Sequence, residues 1–221
     1  MFYGQQQSAA SVEDSGRELA ARIRQIMEET GCQQVNIIAH SKGGLDCRCA
    51  MQEYGAAKDV ASLTTINTPH HGCAFVDDLL QKVPAGVARW IAAKYNRLFT
   101  KLGDQNPDFL AGVRELTAEN CQKFHTEHPP ISGVYYQAVM SRMHSAFSAP
   151  FPLWRKAGEN DGLVPVVSAK LEWAPFLMVP ETKRRGVSHG DMIDLNRENI
   201  PDFDVREWYS QLVQKLKQNG F

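Results

Sequence analysis

Val35-Asn36-Ile37-Ile38-Ala39-His40-Ser41-Lys42-Gly43-Gly44 is the stretch whose reading decides the fold. Val35 to Ile38 form an apolar run rich in β-branched side chains, short enough for a strand buried on both faces. Small, polar and glycine residues follow, and then a helical pattern. Strand, sharp turn and helix place Ser41 at the apex. The spacing is that of the Gly-x-Ser-x-Gly nucleophile elbow, with Ala39 in the first glycine position. Such a turn crowds the backbone, so the positions two before and two after the serine must be small; Ala39 and Gly43 meet that demand. Gly44 is expected to let the helix lie close to the sheet. The Ser41 hydroxyl then stands above the carboxyl end of the strand, and the Lys42 N–H at the helix N-terminus is the expected oxyanion donor. Taken alone, the motif also fits an ordinary strand-to-helix turn with an incidental serine, so the rest of the chain has to decide.

At 221 residues the chain suits one sizeable domain with ample core. Its 43% apolar and 22% charged content is that of an ordinary globular protein. A net charge of −1, with no basic run, argues against nucleic acid as a partner. No apolar run approaches membrane-span length, and Met1 is not followed by a charged and then apolar leader, so no export signal is visible. Five cysteines (Cys32, Cys47, Cys49, Cys73, Cys121) are odd in number and without framework spacing. They read as free and mostly buried, which leans toward a reducing, cytoplasmic compartment. A metal site from Cys47, Cys49, Cys73, His70 and His71 is disfavoured, because Cys-x-Cys on a helix splays its thiols roughly 200° apart.

Along the chain, Phe2-Tyr3-Gly4 reads as the tail of a strand. Ser11 caps a helix with Asp14 as its capping-box partner, Leu19, Ile23, Ile26 and Met27 form its apolar stripe, and Gly31 ends it. The elbow helix runs to about Tyr54, and Ala61 to Asn67 is the next strand. Helix, strand, helix, strand is the order of parallel α/β architecture. Three segments are expected: a first core part at 1–72, a helical cap insertion at 73–130, and a second core part at 131–221. In the insertion, Phe75, Leu79, Leu80, Val83, Val87, Trp90, Ile91, Leu98 and Phe99 serve either plain packing or an apolar acyl pocket. Beyond it, Ile131–Met140 reads as a strand or an ordered excursion, Leu153-Trp154 as a short strand, and Trp173–Val179 as the last one. A closing helix from about Asp204 places Val205, Trp208, Tyr209, Leu212, Val213 and Leu216 on one stripe.

A serine at an elbow needs a base, and the base an orienting acid; on doubly wound sheets these follow in the order Ser, Asp or Glu, His. Ser41 is followed by Asp161 in the polar turn Gly158–Gly162, and then by His189 in the loop after the last strand candidate. His70, His71, His125, His128 and His144 all precede Asp161 and fit less well. His189 is the expected base, with Asp161 holding its Nδ1–H.

These blocks carry a resemblance. Ala39-His40-Ser41-Lys42-Gly43-Gly44, Asn67-Thr68-Pro69-His70-His71-Gly72, Asn160-Asp161-Gly162-Leu163-Val164 and Ser188-His189-Gly190-Asp191 resemble those of the bacterial triacylglycerol lipases of the α/β-hydrolase fold. The likeness runs through nearly the whole chain. It implies a mostly parallel sheet flanked by helices, a helical cap, and hydrolysis of acyl esters of glycerol through an acyl-enzyme. Lipid or small ester is then the partner, with transient contact at a lipid interface and many relatives secreted; oligomeric state stays open. His40, His70, Leu163 and Val164 become expected substrate contacts. Ester chemistry needs no cofactor. Some relatives bind calcium beside the catalytic histidine, where Asp191 is the candidate ligand, but residues 141–157 contain no second acidic ligand. By the same likeness the fold begins with further strands, one carrying the second oxyanion donor, which this sequence does not show. A short-chain esterase, phospholipase or acyltransferase on the same triad, and a non-catalytic remnant, are the alternatives.

Overall fold

The structure, a computed structural model, describes residues 1–7, 9–73, 76–77, 80, 84–102, 107–144, 158–183, 185–195 and 200–221. Leu153-Trp154 and Phe75, Leu79 and Val83 lie outside the described residues, as do the side chains of Ile91, Leu98 and Phe99.

The first helix, α1 (Val12–Thr30), starts where Ser11 Oγ accepts the Asp14 N–H and stops where Gly31 takes φ 69°. It packs on α2 (Gly43–Glu53) through Gly16, where a Cβ would stand 2.9 Å from Cys49 Sγ and 3.1 Å from the Ala50 nitrogen. Strands β1 (Val35–His40), β2 (Val60–Ile66), β3 (Tyr135–Met140) and β4 (Phe176–Met178) form one parallel sheet in that spatial order. Parallel neighbours need crossovers, which α2 and the inserted helices supply. Those helices are α3 (Ala85–Leu102), α4 (Phe109–Arg114) and α5 (Ala118–Glu127); Asp108 and Thr117 cap the last two. The closing helix α6 (Val205–Gln218) is capped by Asp204.

Two buried clusters hold the layers together. One joins Leu19, Ala20 and Ile23 of α1 to Ala50, Met51, Leu63 and Tyr136. The other joins Ile66, Val139 and Val179 to Met192 and to Leu212 of α6. Each fully buried Leu, Ile or Met stabilises the fold by about 1.5–3 kcal/mol. At the carboxyl ends of β2 and β3 an amide clamps the strands together: Asn67 Nδ2 donates to Ser141 Oγ and the Ser141 N–H to Asn67 Oδ1, both at 2.8 Å.

Four expectations are corrected. Phe2–Gly4 joins no strand, because Gln5 at φ 57° turns the chain out of the extended course. The third strand begins only at Tyr135, after a turn in which Gly133 has φ 87° and the Val134 N–H bonds to Ile131. The last shrinks to Phe176–Met178, since the Ala174 N–H turns back to Leu171 and Pro175 has no N–H to give. Val213 is 50% exposed, one step of rotation off the stripe that buries Leu212 and Leu216.

Candidate active site

Ser41 takes φ 55°, left-handed for a non-glycine residue and worth about 1–3 kcal/mol of strain. Two bonds, one from the end of β2 and one from the loop after it, hold it there. Its N–H donates to the Ile66 carbonyl at 2.9 Å, and its own carbonyl accepts the Thr68 hydroxyl at 2.8 Å. The sharpest steric demand falls on Gly44, where a Cβ would lie 2.3 Å from Thr68 Oγ1 and 3.0 Å from Thr65 Cγ2. At Gly43 a Cβ would find only ordinary contact, 3.8 Å from the Ala39 Cβ. The N–H groups of Gly44, Leu45 and Asp46 bond back to Ser41 and Lys42 carbonyls, so α2 begins with its N-terminus beside the serine.

Across the rim, Asp161 is fully buried in the turn before Val164. Its Oδ1 accepts the N–H of Leu163 at 2.9 Å and of Val164 at 2.7 Å. Its Oδ2 is thereby aimed at His189 Nδ1, 2.7 Å away. The Asp161 carbonyl also accepts the His189 N–H at 2.8 Å, pinning the backbone of one to the other. His189 Nε2 stands 3.0 Å from Ser41 Oγ. With the Nδ1–H donating to the carboxylate, Nε2 presents its lone pair to the serine hydroxyl.

The remaining expected site residues fall in different places. His40 donates from Nε2 to the His189 carbonyl at 3.0 Å, and the two rings lie 4.4 Å apart. Burial, and then the neighbouring His189 ring, hold its pKa well below the ordinary histidine value, so His40 is a neutral brace of the base. His70 is corrected: fully buried, it accepts Arg48 Nη1–H at Nδ1 and donates from Nε2 to Thr65 Oγ1, leaving no ring atom for a substrate. Val164 is likewise core, 1% exposed against Met140, Val166 and Ala169; half-buried Leu163 packs on that cluster. Their contribution to Asp161 is through backbone N–H. The Lys42 side chain points away from the rim, to Asp46 Oδ1 at 2.7 Å and Ser15 Oγ at 3.0 Å.

Asp191 does not fit a calcium site. Arg185 spans both carboxylate oxygens at 2.6 and 3.1 Å, and the Ser188 N–H donates to one of them at 2.7 Å. A cation there would have to displace a bidentate guanidinium. All five cysteines are free; burial pushes the thiols of Cys47, Cys49 and Cys121 up, the last two to about 12. One contributor escaped the sequence reading. Arg48, buried on α2, donates to the His128 carbonyl at 2.5 Å and lies over the rings of Phe124 and Trp173. It thus ties the elbow helix to the insertion. An arginine between the buried Cys47 and Cys49 was its only signal.

A parallel sheet with a strained serine between strand and helix, facing a histidine and a buried aspartate from two later loops, defines an α/β hydrolase architecture. The comparisons agree. A model of the alpha/beta hydrolase fold matches residues 3–152. A triacylglycerol lipase of Pseudarthrobacter phenanthrenivorans is 35% identical over 121 residues, 52% of this chain and 37% of that protein. A triacylglycerol lipase of Vibrio cholerae is 30% identical over 252 aligned positions, covering all of this chain and 78% of the relative. Among solved structures, the mature Bacillus licheniformis lipase BlEst2 superposes with a TM-score of 0.64 at 23% identity, over 85% of this chain and 71% of that one. The chain belongs to the lipase family of the alpha/beta hydrolase fold. It spans little more than a third of the length of the Pseudarthrobacter relative.

Proposed function

We propose that this chain is a serine carboxylic-ester hydrolase of the lipase type, cleaving acyl esters of glycerol through an acyl-enzyme. The observation that carries the reading is the unbroken hydrogen-bond chain from Asp161 Oδ2 through His189 to Ser41 Oγ, at 2.7 and 3.0 Å. Ser41 Oγ attacks the ester carbonyl carbon while His189 Nε2 takes its proton. The carbonyl electrons move onto oxygen, and the Lys42 N–H stabilises that oxyanion; one such donor is worth about 10²–10³ in rate. Collapse expels the glycerol oxygen, which takes the proton from His189. Water then repeats the sequence on the acyl-serine and releases the fatty acid. Asp161 keeps Nδ1 protonated and stabilises the imidazolium throughout. His40 is a positioning residue, acting through His189.

No metal or organic group is required for these steps. Val87 and Trp90 on α3 are 47% and 67% exposed, which supports transient contact of the insertion with a lipid surface. Among the described residues no helix is long and apolar enough to cross a membrane. Hydrolysis of p-nitrophenyl esters of rising acyl length tests the substrate class. Sustained rates on long chains support the lipase reading. A collapse beyond short chains replaces it with a short-chain esterase on the same residues.

A further inference from the structure

We propose that His71, His125 and Glu172 form a zinc site that clamps the helical insertion to the hydrolase core. Among the described residues these three bring one ligand atom each to within 4.8 Å of one another. They come from three separate segments: His71 from the loop after β2, His125 from α5, and Glu172 from the stretch leading to β4.

The distances suit a tetrahedral ion. His71 Nε2 lies 3.1 Å from Glu172 Oε1, and His125 Nε2 lies 3.1 Å from Oε2. Bonds of about 2.0–2.1 Å set the edge of a zinc tetrahedron at roughly 3.3 Å. The two 3.1 Å contacts use different carboxylate oxygens, and with one donor atom from each residue within 4.8 Å of the others, side-chain shifts on the order of 1 Å bring them onto one ion. Two imidazoles and one carboxylate are also the donor set of open zinc sites, with a position left for water. Room for that water exists: a cavity of about 540 Å³ opens here, with His71, Ser168, Glu172 and Phe176 in its wall. The Lys170 carbonyl, 3.1 Å from His71 Nε2, adds a further oxygen at the rim.

The rings are set before any ion arrives. His125 is held between His71, at 4.5 Å between ring centres, and Trp173, stacked at 4.7 Å. For a metal to take the Nε2 lone pairs, each neutral ring shifts its proton from Nε2, where Glu172 now accepts it, to Nδ1. The clamp also bears on the elbow loop, since His71 lies three residues beyond Thr68, whose hydroxyl holds the Ser41 carbonyl.

Chelator-treated full-length protein, titrated with Zn²⁺ by calorimetry and with Co²⁺ by visible absorption, tests the site. One equivalent of Zn²⁺ is expected, with an upward shift of the melting temperature, and Co²⁺ should give the intense visible bands of a four-coordinate ion. His125→Gln and Glu172→Gln should each weaken Zn²⁺ binding by more than about 100-fold, beyond the 10–100-fold typical of outer-shell losses. Should His125→Gln not fold, Glu172→Gln, at a carboxylate 63% exposed, carries the test. Absence of saturable Zn²⁺ binding, a six-coordinate Co²⁺ spectrum, or binding indifferent to Glu172→Gln overturns the proposal.

Discussion

The Thr68 hydroxyl donates to the Ser41 carbonyl at 2.8 Å, so the strained apex of one strand–helix turn is held by the loop leaving the next strand. Thr68→Val keeps the shape and removes the donor. The Ser41 carbonyl then keeps the Gly44 N–H at 3.1 Å but loses the hydroxyl, at a cost of about 0.5–1.5 kcal/mol. Denaturant midpoints should fall accordingly, and kcat should fall with them as the serine loses its fixed geometry. A variant that matches wild type in both leaves the Thr68 bond without a role.

Gly44 and Gly43 should behave oppositely despite being neighbours. At Gly44 a Cβ meets Thr68 at 2.3 Å and Thr65 at 3.0 Å, whereas at Gly43 its nearest neighbour is at 3.8 Å. Overpacking of this kind costs about 1–3 kcal/mol. Gly44→Ala should therefore unfold at distinctly lower denaturant, and Gly43→Ala should stay within about 0.5 kcal/mol of wild type.

His40 braces the base from behind with one hydrogen bond. His40→Phe retains a ring beside His189 and deletes the N–H that its carbonyl accepts at 3.0 Å. A net hydrogen bond of about 0.5–1.5 kcal/mol converts to a 2- to 10-fold loss of kcat if it acts on the transition state. Steady-state kinetics should show that loss in kcat with KM little changed. A change in KM alone would instead make His40 a substrate contact.

Asp191 sets an acid limb to stability. Burial pushes its carboxyl up, but the Arg185 guanidinium and the Ser188 donors outweigh this and hold it below the ordinary 3.8. The folded value lies under the unfolded one, so the stabilisation is fully present above about pH 3.8 and is lost as pH falls through the folded value. Melting temperatures from pH 6 to 2 should converge for wild type and Asp191→Asn at the acid end, with wild type the more stable above pH 4. Added calcium should leave both curves unmoved.

How much of this was readable from sequence follows from how local each signal is. The elbow lies within ten residues whose steric logic is self-contained, and the parallel α/β order follows from the alternation of apolar runs and helical stripes. Asp161 and His189 stood out because each follows an apolar run at a strand end. Partners set by tertiary packing were less visible. His70 sits in the same Asn67–Gly72 block as Thr68, yet burial beneath Arg48 removes it from the site. Val164 supports Asp161 through its backbone N–H, an interaction that side-chain identity does not encode. Asp191 was legible as an acid, while its guanidinium partner, six residues away, was not legible as such. The last strand was overdrawn because its apolar run continues through a turn at Ala174.

Labelling by a fluorophosphonate tests the central claim most directly, since it reports on serine activation without presupposing a natural ester. Full-length protein should acquire one adduct, located on Ser41 by peptide mass mapping, and His189→Ala should slow its formation by about 10³-fold or more. A wild-type chain that takes no label on Ser41, or one labelled equally fast without the imidazole of residue 189, contradicts the account.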